Sequence, residues 1–344
     1  VRGFLRIPPE RDPGTVFAYN QPATYSLAAI VQRVTGRLMT EYLRPRLFDP
    51  LGIGDVTWLQ YPAGREIGFT GLYATTDAVA RLGQLYLREG VWEGERLLPS
   101  AWVAEATRAQ VSNADGMSEG PDWQQGYGFQ FWMSRHGYRG DGAYGQLCVV
   151  LPEHDVVIAA TAATEPMQPL LDLVWAHLLP AFGAQPLEGR AADDTALRHR
   201  LSRLALPPLA VEPVPPTRPE DWPDATFIPE GVVCADQPTL TDVVVTRTGG
   251  AWRVLLGESG TQFELRLDGT GWTVDEGGTP TAVTGGWTDP DTLRVDTLFL
   301  ETPHRLTVTC SLPGRTFTAR WHTKPLIGGP LRSFRAAARW EDEG

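Results

Sequence analysis

Seven prolines fall within the seventeen residues from Pro207 to Pro223, and that density limits what the chain can become. Proline lacks the backbone N–H that helix interiors and inner strands require, and it fixes φ near −65°, so this stretch is held to extended connection. Hydrophobic patterning differs on its two sides. The chain therefore reads as two folded parts and a linker, with expected boundaries 1–185, 186–224 and 225–344. A length of 344 residues is that of about two domains.

Ahead of the linker, YSLAAIVQRVTG sets Leu27, Ile30, Val31 and Val34 at helical spacing and ends on Gly36, which predicts a core-facing helix. TTDAVARLGQLYLREG opens with Thr75, Thr76 and Asp77 as cap candidates and stops at Gly90, a second helix. SAWVAEATR predicts a third, capped by Ser100. GYGFQFWMSR, QLCVVL and VVIAATA are dense in aromatic and β-branched residues and read as strands, with PEHD as the turn between the last two. Met167 to Leu179 returns to helical spacing. The first part is thus α+β, helices packed on an antiparallel sheet. After the linker, short alternating segments such as TDVVVTRT, AWRVLL and TQFELRLD are separated by GG, DGTG, EGG, DPD and PGR turns. They predict an all-β domain, a lipocalin-like barrel or a sandwich.

Charge excludes some functions. Thirty basic against forty-one acidic residues give a net −11 without a polybasic tract, so nucleic acid is not an expected partner. No apolar run reaches the roughly 20 residues of a membrane helix, and a soluble chain is expected. The three cysteines lack CxxC spacing and are read as buried thiols; the six histidines form no HExxH. Neither a metal nor an organic cofactor is implied. The chain starts at Val1 with no signal-peptide pattern, which raises the expectation of a fragment and leaves compartment and oligomeric state open.

Four phrases occur in one order: DPGTVFAYNQPATYSLAAIVQRVTG, EYLRPRLFDPLGI, GLYATTDAVARLGQLYLREG and LPEHDVVIAATA. Together they resemble the serine β-lactamase, penicillin-binding protein and esterase family, nearest its class C-like branch, over residues 10–183. The resemblance implies a β-lactamase/transpeptidase-like domain that is incomplete at its N-terminus. Members of that family combine a Ser-x-x-Lys on a helix start, a Tyr-x-Asn on a loop and a Lys-Thr-Gly or His-x-Gly on a strand. A serine hydroxyl needs a neighbouring base to take its proton, a tyrosine relays protons, and the strand adds a backbone N–H to the oxyanion hole.

Tyr19-Asn20-Gln21 matches the second element, which makes Tyr19 the candidate relay. Gln21 stands where the family has asparagine and Asn20 one residue early, so either amide is a candidate substrate contact; alternatively, Tyr19 packs beneath the helix near Tyr25. Ungapped counting back from LPEHD puts Gly140-Asp141-Gly142 at the third element, with Ala143 offering the oxyanion N–H. The family's cation is missing there, and Arg139 supplies one only if the strand register slips, because adjacent strand residues face opposite sides. RGDGAYG is also readable as a plain glycine-rich strand entry. The first element is absent: the only lysine is Lys324, in the all-β part, and Trp321 stands three residues before it.

Other polar residues read more simply. Asp77 suits a helix N-terminus; His136 and Asp155 have no assigned chemistry. Trp123, Tyr127, Phe129, Phe131 and Trp132 form a core or line a cleft. The resemblance implies a serine hydrolase that cleaves a small amide or ester through an acyl-enzyme, with these residues inert alone. A protein of another class also fits: a non-catalytic binding or regulatory protein with a degenerate fold, for which Gly140 and Gln21 speak.

Overall fold

The computed structural model describes residues 2–114, 120–185, 187–217, 219–269 and 271–341. Val1 and Thr270 of the DGTG turn lie outside them. Two compact units are formed, residues 1–184 with 336–344 and residues 185–335.

In the first unit, α1 is Gln21–Thr35 and α2 is Met39–Leu43, which runs on into a wider turn at Arg44–Phe48. A small hairpin follows, β1 Thr57–Trp58 with β2 Leu72–Tyr73, and then α3, Thr76–Leu87. A second pair is β3 Val91–Trp92 with β4 Glu95–Arg96, followed by α4, Ser100–Ala106. The main sheet is antiparallel in the order β5 Trp132–Met133, β6 Tyr138–Gly142, β7 Gln146–Leu151 and β8 Val156–Ala160. Helix α5, Met167–Leu173, comes after it.

Side-chain alternation along β7 explains the layering. Leu147, Val149 and Leu151 join Trp123, Trp132, Leu171, Val174 and Trp175 on one face, while Cys148 and Val150 join Tyr138, Val79 and Tyr86 on the other. Both faces are covered, one by α5 and the turn after it and one by α3, so a one-residue slip would exchange the two apolar sets. At Gly83 helix and sheet touch: an added Cβ would lie 2.6 Å from Val157 Cγ1 and 2.7 Å from Cys148 Sγ. Thr75 caps α3 by accepting the Ala78 N–H at 3.1 Å, as the sequence predicts. Pro99, not Ser100, holds the cap position of α4, and its ring offers no capping oxygen. Within GYGFQFWMSR only Trp132 and Met133 are strand, because Gln130 sits at φ 67° and turns the chain just before them.

The expectation for α1 is corrected. Its cap, Asn20 accepting the Ala23 N–H at 2.9 Å, and its left-handed Gly36 end are as read, but Leu27, Ile30 and Val34 are 55%, 55% and 79% exposed. The covered side is the more polar one. Tyr25 donates to the Tyr61 carbonyl, Gln32 to the Gly64 carbonyl, and Ala28 packs where a Cβ on Gly68 would come within 2.7 Å. Helical spacing marks an apolar stripe, but not whether anything lies against it.

The second unit begins with α6, Ala191–Leu201, whose Asp193 and Asp194 occupy the first turn and Arg198, His199 and Arg200 the last. Those charges complement the helix dipole, which accounts for a helix with little buried surface. Nine strands follow among the described residues: β9 Ala225–Pro229, β10 Leu240–Thr248, β11 Ala251–Glu258, β12 Thr261–Leu267, β13 Thr273–Asp275, β14 Thr281–Asp289, β15 Thr292–Phe299, β16 His304–Ser311 and β17 Thr316–Trp321. They form one meander whose first and last strands pair in parallel, leaving a seam between β12 and β13. Glu212 pairs with Trp287 of β14 through two 2.9 Å backbone bonds. The Gly249–Gly250 turn has φ 60° and 87°, the two positive values that a two-residue hairpin needs. This is the nearly closed all-β domain the alternating pattern predicts. Trp222, Trp252, Trp287, Phe299, Phe317 and Trp321 are among the large side chains of its buried core.

Candidate functional site

The loop before α1 meets the edge of the main sheet at an aromatic cluster. Tyr19 lies on Trp132 of β5 with ring centroids 5.7 Å apart and planes at 17°, and it meets Tyr127 edge-on at 6.2 Å. Phe17 closes the group from the core side, 5.2 Å from Tyr127 and 5.6 Å from Trp132. Of the five aromatic residues read as core or cleft, Trp123 and Trp132 are buried, while Tyr127 lines a cleft; Tyr19 beside them is 52% exposed.

In front of Tyr19 a cleft of about 320 Å³ is lined by Asn20, Gln21, Thr24, Leu27, Phe69, Tyr127 and Gln130, among others. The Tyr127 phenol is held above its ordinary pKa, by burial first and then by Tyr19 and Asp141. Tyr19 and Asp141 therefore both lie within electrostatic reach of one hydroxyl. The oxygen of Asn20 is engaged as the helix cap, whereas Gln21 is exposed on the first turn and faces the cleft.

On β6 the glycine-rich motif has a different logic from the one read in the sequence. Arg139 is fully buried and bonded to Asp141 at 2.8 Å, both on the same side of the strand as residues i and i+2 must be. Its guanidinium lies 4.4 Å from the Trp123 ring and donates to the Asp122 carbonyl and Ser134 Oγ. Arg139 is thus a strut beneath the aromatic cluster rather than a cation open to a substrate, and the pair neutralises itself. Gly140 pairs with Cys148, and Gly142 pairs with Gln146. Ala143 is exposed in the turn that follows, about 7 Å beyond Asp141 along the strand. Tyr144, at φ 66°, fixes that turn through its carbonyl, which accepts the Thr164 N–H at 3.2 Å.

Three contributors carried no signal in the sequence. Gln130 adopts a left-handed backbone and exchanges hydrogen bonds with Thr24 across the cleft, at 3.2 and 3.3 Å. Phe69 is a lining residue supplied by the loop before β2. Asp122, completely buried, accepts from Arg135, Gln168 and Trp175 and anchors the segment behind Trp123. Asp77 forms an ordinary i,i+4 pair with Arg81, and Asp155 pairs with Arg88. His136 packs against Trp175. Among the described residues no cluster of His, Cys, Asp or Glu is arranged to hold a metal, and all three cysteines are free and buried. Among the described residues no helix is long and apolar enough to cross a membrane.

Comparison with known proteins agrees with the four phrases. Penicillin-binding protein 4 of Amycolatopsis lactamdurans is 28% identical over 228 residues, covering 54% of this chain and 59% of that protein. A Bacillus anthracis structure provisionally assigned as a 6-aminohexanoate-dimer hydrolase is 27% identical, covering 50% of this chain and 46% of its own, at a TM-score of 0.39. The octameric penicillin-binding protein homologue of Pyrococcus abyssi is 12% identical, covering 86% and 64%, at a TM-score of 0.35. The chain thus spans less than two thirds of the length of each. The family model described as Beta-lactamase matches residues 1–179, more than half of the 344, and the chain belongs to the beta-lactamase family.

Proposed function

We propose that these residues are part of a serine hydrolase that cleaves a small amide or ester through an acyl-enzyme, with Tyr19 relaying protons and the Ala143 N–H serving the oxyanion. The observation that carries this reading is the half-exposed ring of Tyr19, stacked on Trp132 at the sheet edge and lining the cleft with Gln21 and Tyr127; Ala143 does not line that cleft, and its role rests on the motif alone. The nucleophile, in this reading, comes from polypeptide outside these residues. The apolar stripe of Leu27, Ile30 and Val34 supports that, because its Leu27 end lines the same cleft. A segment seated on the stripe would reach Tyr19. The self-neutralised Arg139–Asp141 pair leaves this strand no carboxylate clamp, which favours an uncharged substrate over one bearing a carboxylate.

The test compares two polypeptides, the 344-residue chain and the same chain joined to whatever coding sequence precedes Val1. With a chromogenic ester and a chromogenic β-lactam, the expected result is turnover by the longer protein alone and a Ser-x-x-Lys in the added sequence. Turnover by the 344-residue chain itself, or an inert longer protein without that motif, would overturn it. The second reading, a non-catalytic binding protein, is favoured by one observation, the enclosure of Arg139, the basic residue beside the strand motif. Saturable binding without turnover by the longer protein would establish it.

A further inference from the structure

The outer face of the second unit gathers positive charge in a chain whose net charge is −11. Register sets Asp296 of β15 opposite Thr307 of β16, and Thr307 opposite Arg320 of β17. Arg294 and Arg305 lie two residues before Asp296 and Thr307, so all five project from one face, and Val295, Leu306, Val308 and Ala319 fill the barrel from the other. Asp296 is fully buried. It accepts from Thr307 Oγ1 at 2.5 Å and from Arg305, with Arg294 at 3.8 Å.

His322 completes the group. Its Nε2 lies 2.8 Å from Thr307 Oγ1. Since that hydroxyl donates to Asp296, its oxygen accepts from the imidazole, so Nε2 carries a hydrogen and the Nδ1 of the exposed ring donates to an anion when the ring is protonated. The ring lies within electrostatic reach of Arg305, Arg294 and Arg320 as well as Asp296. One guanidinium neutralises Asp296. Two more and an imidazole remain together, and Arg320 has no ion pair among the described residues. Like charges on neighbouring strands repel, and an incoming anion would relieve that repulsion with charge-assisted hydrogen bonds.

We propose that this face binds a tetrahedral oxyanion of the phosphate or sulfate type, between Arg294, Arg320 and the Nδ1 edge of His322. The site is independent of the cleft in the first unit and of the hydrolase reading. It is tested on the 344-residue chain by following the histidine ring resonances while adding inorganic phosphate, inorganic sulfate or glucose 6-phosphate. The expected result is a saturable shift confined to His322, with a Kd of about 1 to 10 mM. Arg320→Gln should weaken it about fivefold, the worth of one exposed charge pair, while Arg266→Gln on β12 leaves it unchanged. Equal affinity for inorganic phosphate and the sugar ester would assign a free anion, and tighter binding of the ester a phosphoryl group on a larger molecule; both uphold the site. No shift at about 100 mM, or the same response in Arg320→Gln, would overturn it.

Discussion

The ring of Tyr19 lies nearly parallel to that of Trp132, 17° between planes and 5.7 Å between centroids, so the phenol is held from beneath by a side chain that is itself only 5% exposed. A relay group needs a fixed position more than it needs burial, and stacking on a core tryptophan supplies that position while the residue stays half exposed.

The stacking separates two roles of Tyr19. Tyr19→Phe keeps the ring and loses only the hydroxyl, so the melting temperature of the 344-residue chain should stay within about a degree, the effect of a surface change. In the longer, active protein the same change should lower turnover by roughly 10²-fold or more if the hydroxyl relays protons. Unchanged turnover there would leave Tyr19 a packing residue.

Gly83 predicts a reversal of a common rule. Gly→Ala in an exposed helix interior stabilises by about 1 kcal/mol, but here the new methyl would sit 2.6 Å from Val157 Cγ1 and 2.7 Å from Cys148 Sγ. Overpacking of that kind costs about 1 to 3 kcal/mol, so Gly83→Ala should lower the midpoint of chemical unfolding of the first unit. Adding Val157→Ala should recover part of the loss. A stabilised single variant would mean that α3 stands further from the sheet.

How much of this was legible in the sequence depended on how local its cause was. The Gly36 helix end and the Gly249–Gly250 hairpin are set by neighbours a few residues away and are read directly, and the α3 cap falls on Thr75, one of the three candidates there. The stripe of Leu27, Ile30 and Val34 reads as core in the sequence but is exposed, because an apolar face has one pattern whether covered or bare. Arg139 was harder still. Its direction is decided by Asp122, Trp123 and Ser134, brought beside β6 by the chain fold, and no spacing within RGDGAYG encodes them. The cleft shows the same division: the Tyr19 loop carries a motif, whereas Phe129 and Phe131 on either side of Gln130 mark an aromatic cluster and not the left-handed turn between them.

Asp122 predicts how the first unit responds to acid. Burial alone would raise its pKa, yet hydrogen bonds from Arg135, Gln168 and Trp175 outweigh that and bring it from 3.8 down to about 2. A carboxylate depressed on folding contributes stability above its unfolded pKa and loses it as pH falls through the folded value. The window is therefore from about pH 4 to about pH 2, and the contribution about 2 kcal/mol. Unfolding followed by near-ultraviolet circular dichroism should steepen across that window, and Asp122→Asn should remove that component while lowering stability at pH 7, since Arg135 then loses its buried partner.

Glu258 makes the matching prediction for the barrel. It is 3% exposed at the end of β11 and has no cationic partner among the described residues; its oxygens accept from Thr239, from Gln237 at 3.2 Å and from the Leu331 N–H at 2.7 Å. Gln237 also donates to the Gly329 carbonyl at 2.8 Å and accepts from Trp321 Nε1. The carboxylate thus ties the segment carrying Leu331 and Phe334 into the barrel core. Glu258→Ala strands the buried Leu331 N–H, at about 1 to 3 kcal/mol, while the Gln237 amide keeps Gly329 and Thr239, so the barrel should melt earlier and residues 326–335 should become accessible to limited proteolysis before the strands do. Glu258→Gln keeps one acceptor and should fall between the two. Protection of 326–335 equal to that of the unaltered chain in Glu258→Ala would show that the aromatic contacts of Phe334 hold the segment without the carboxylate.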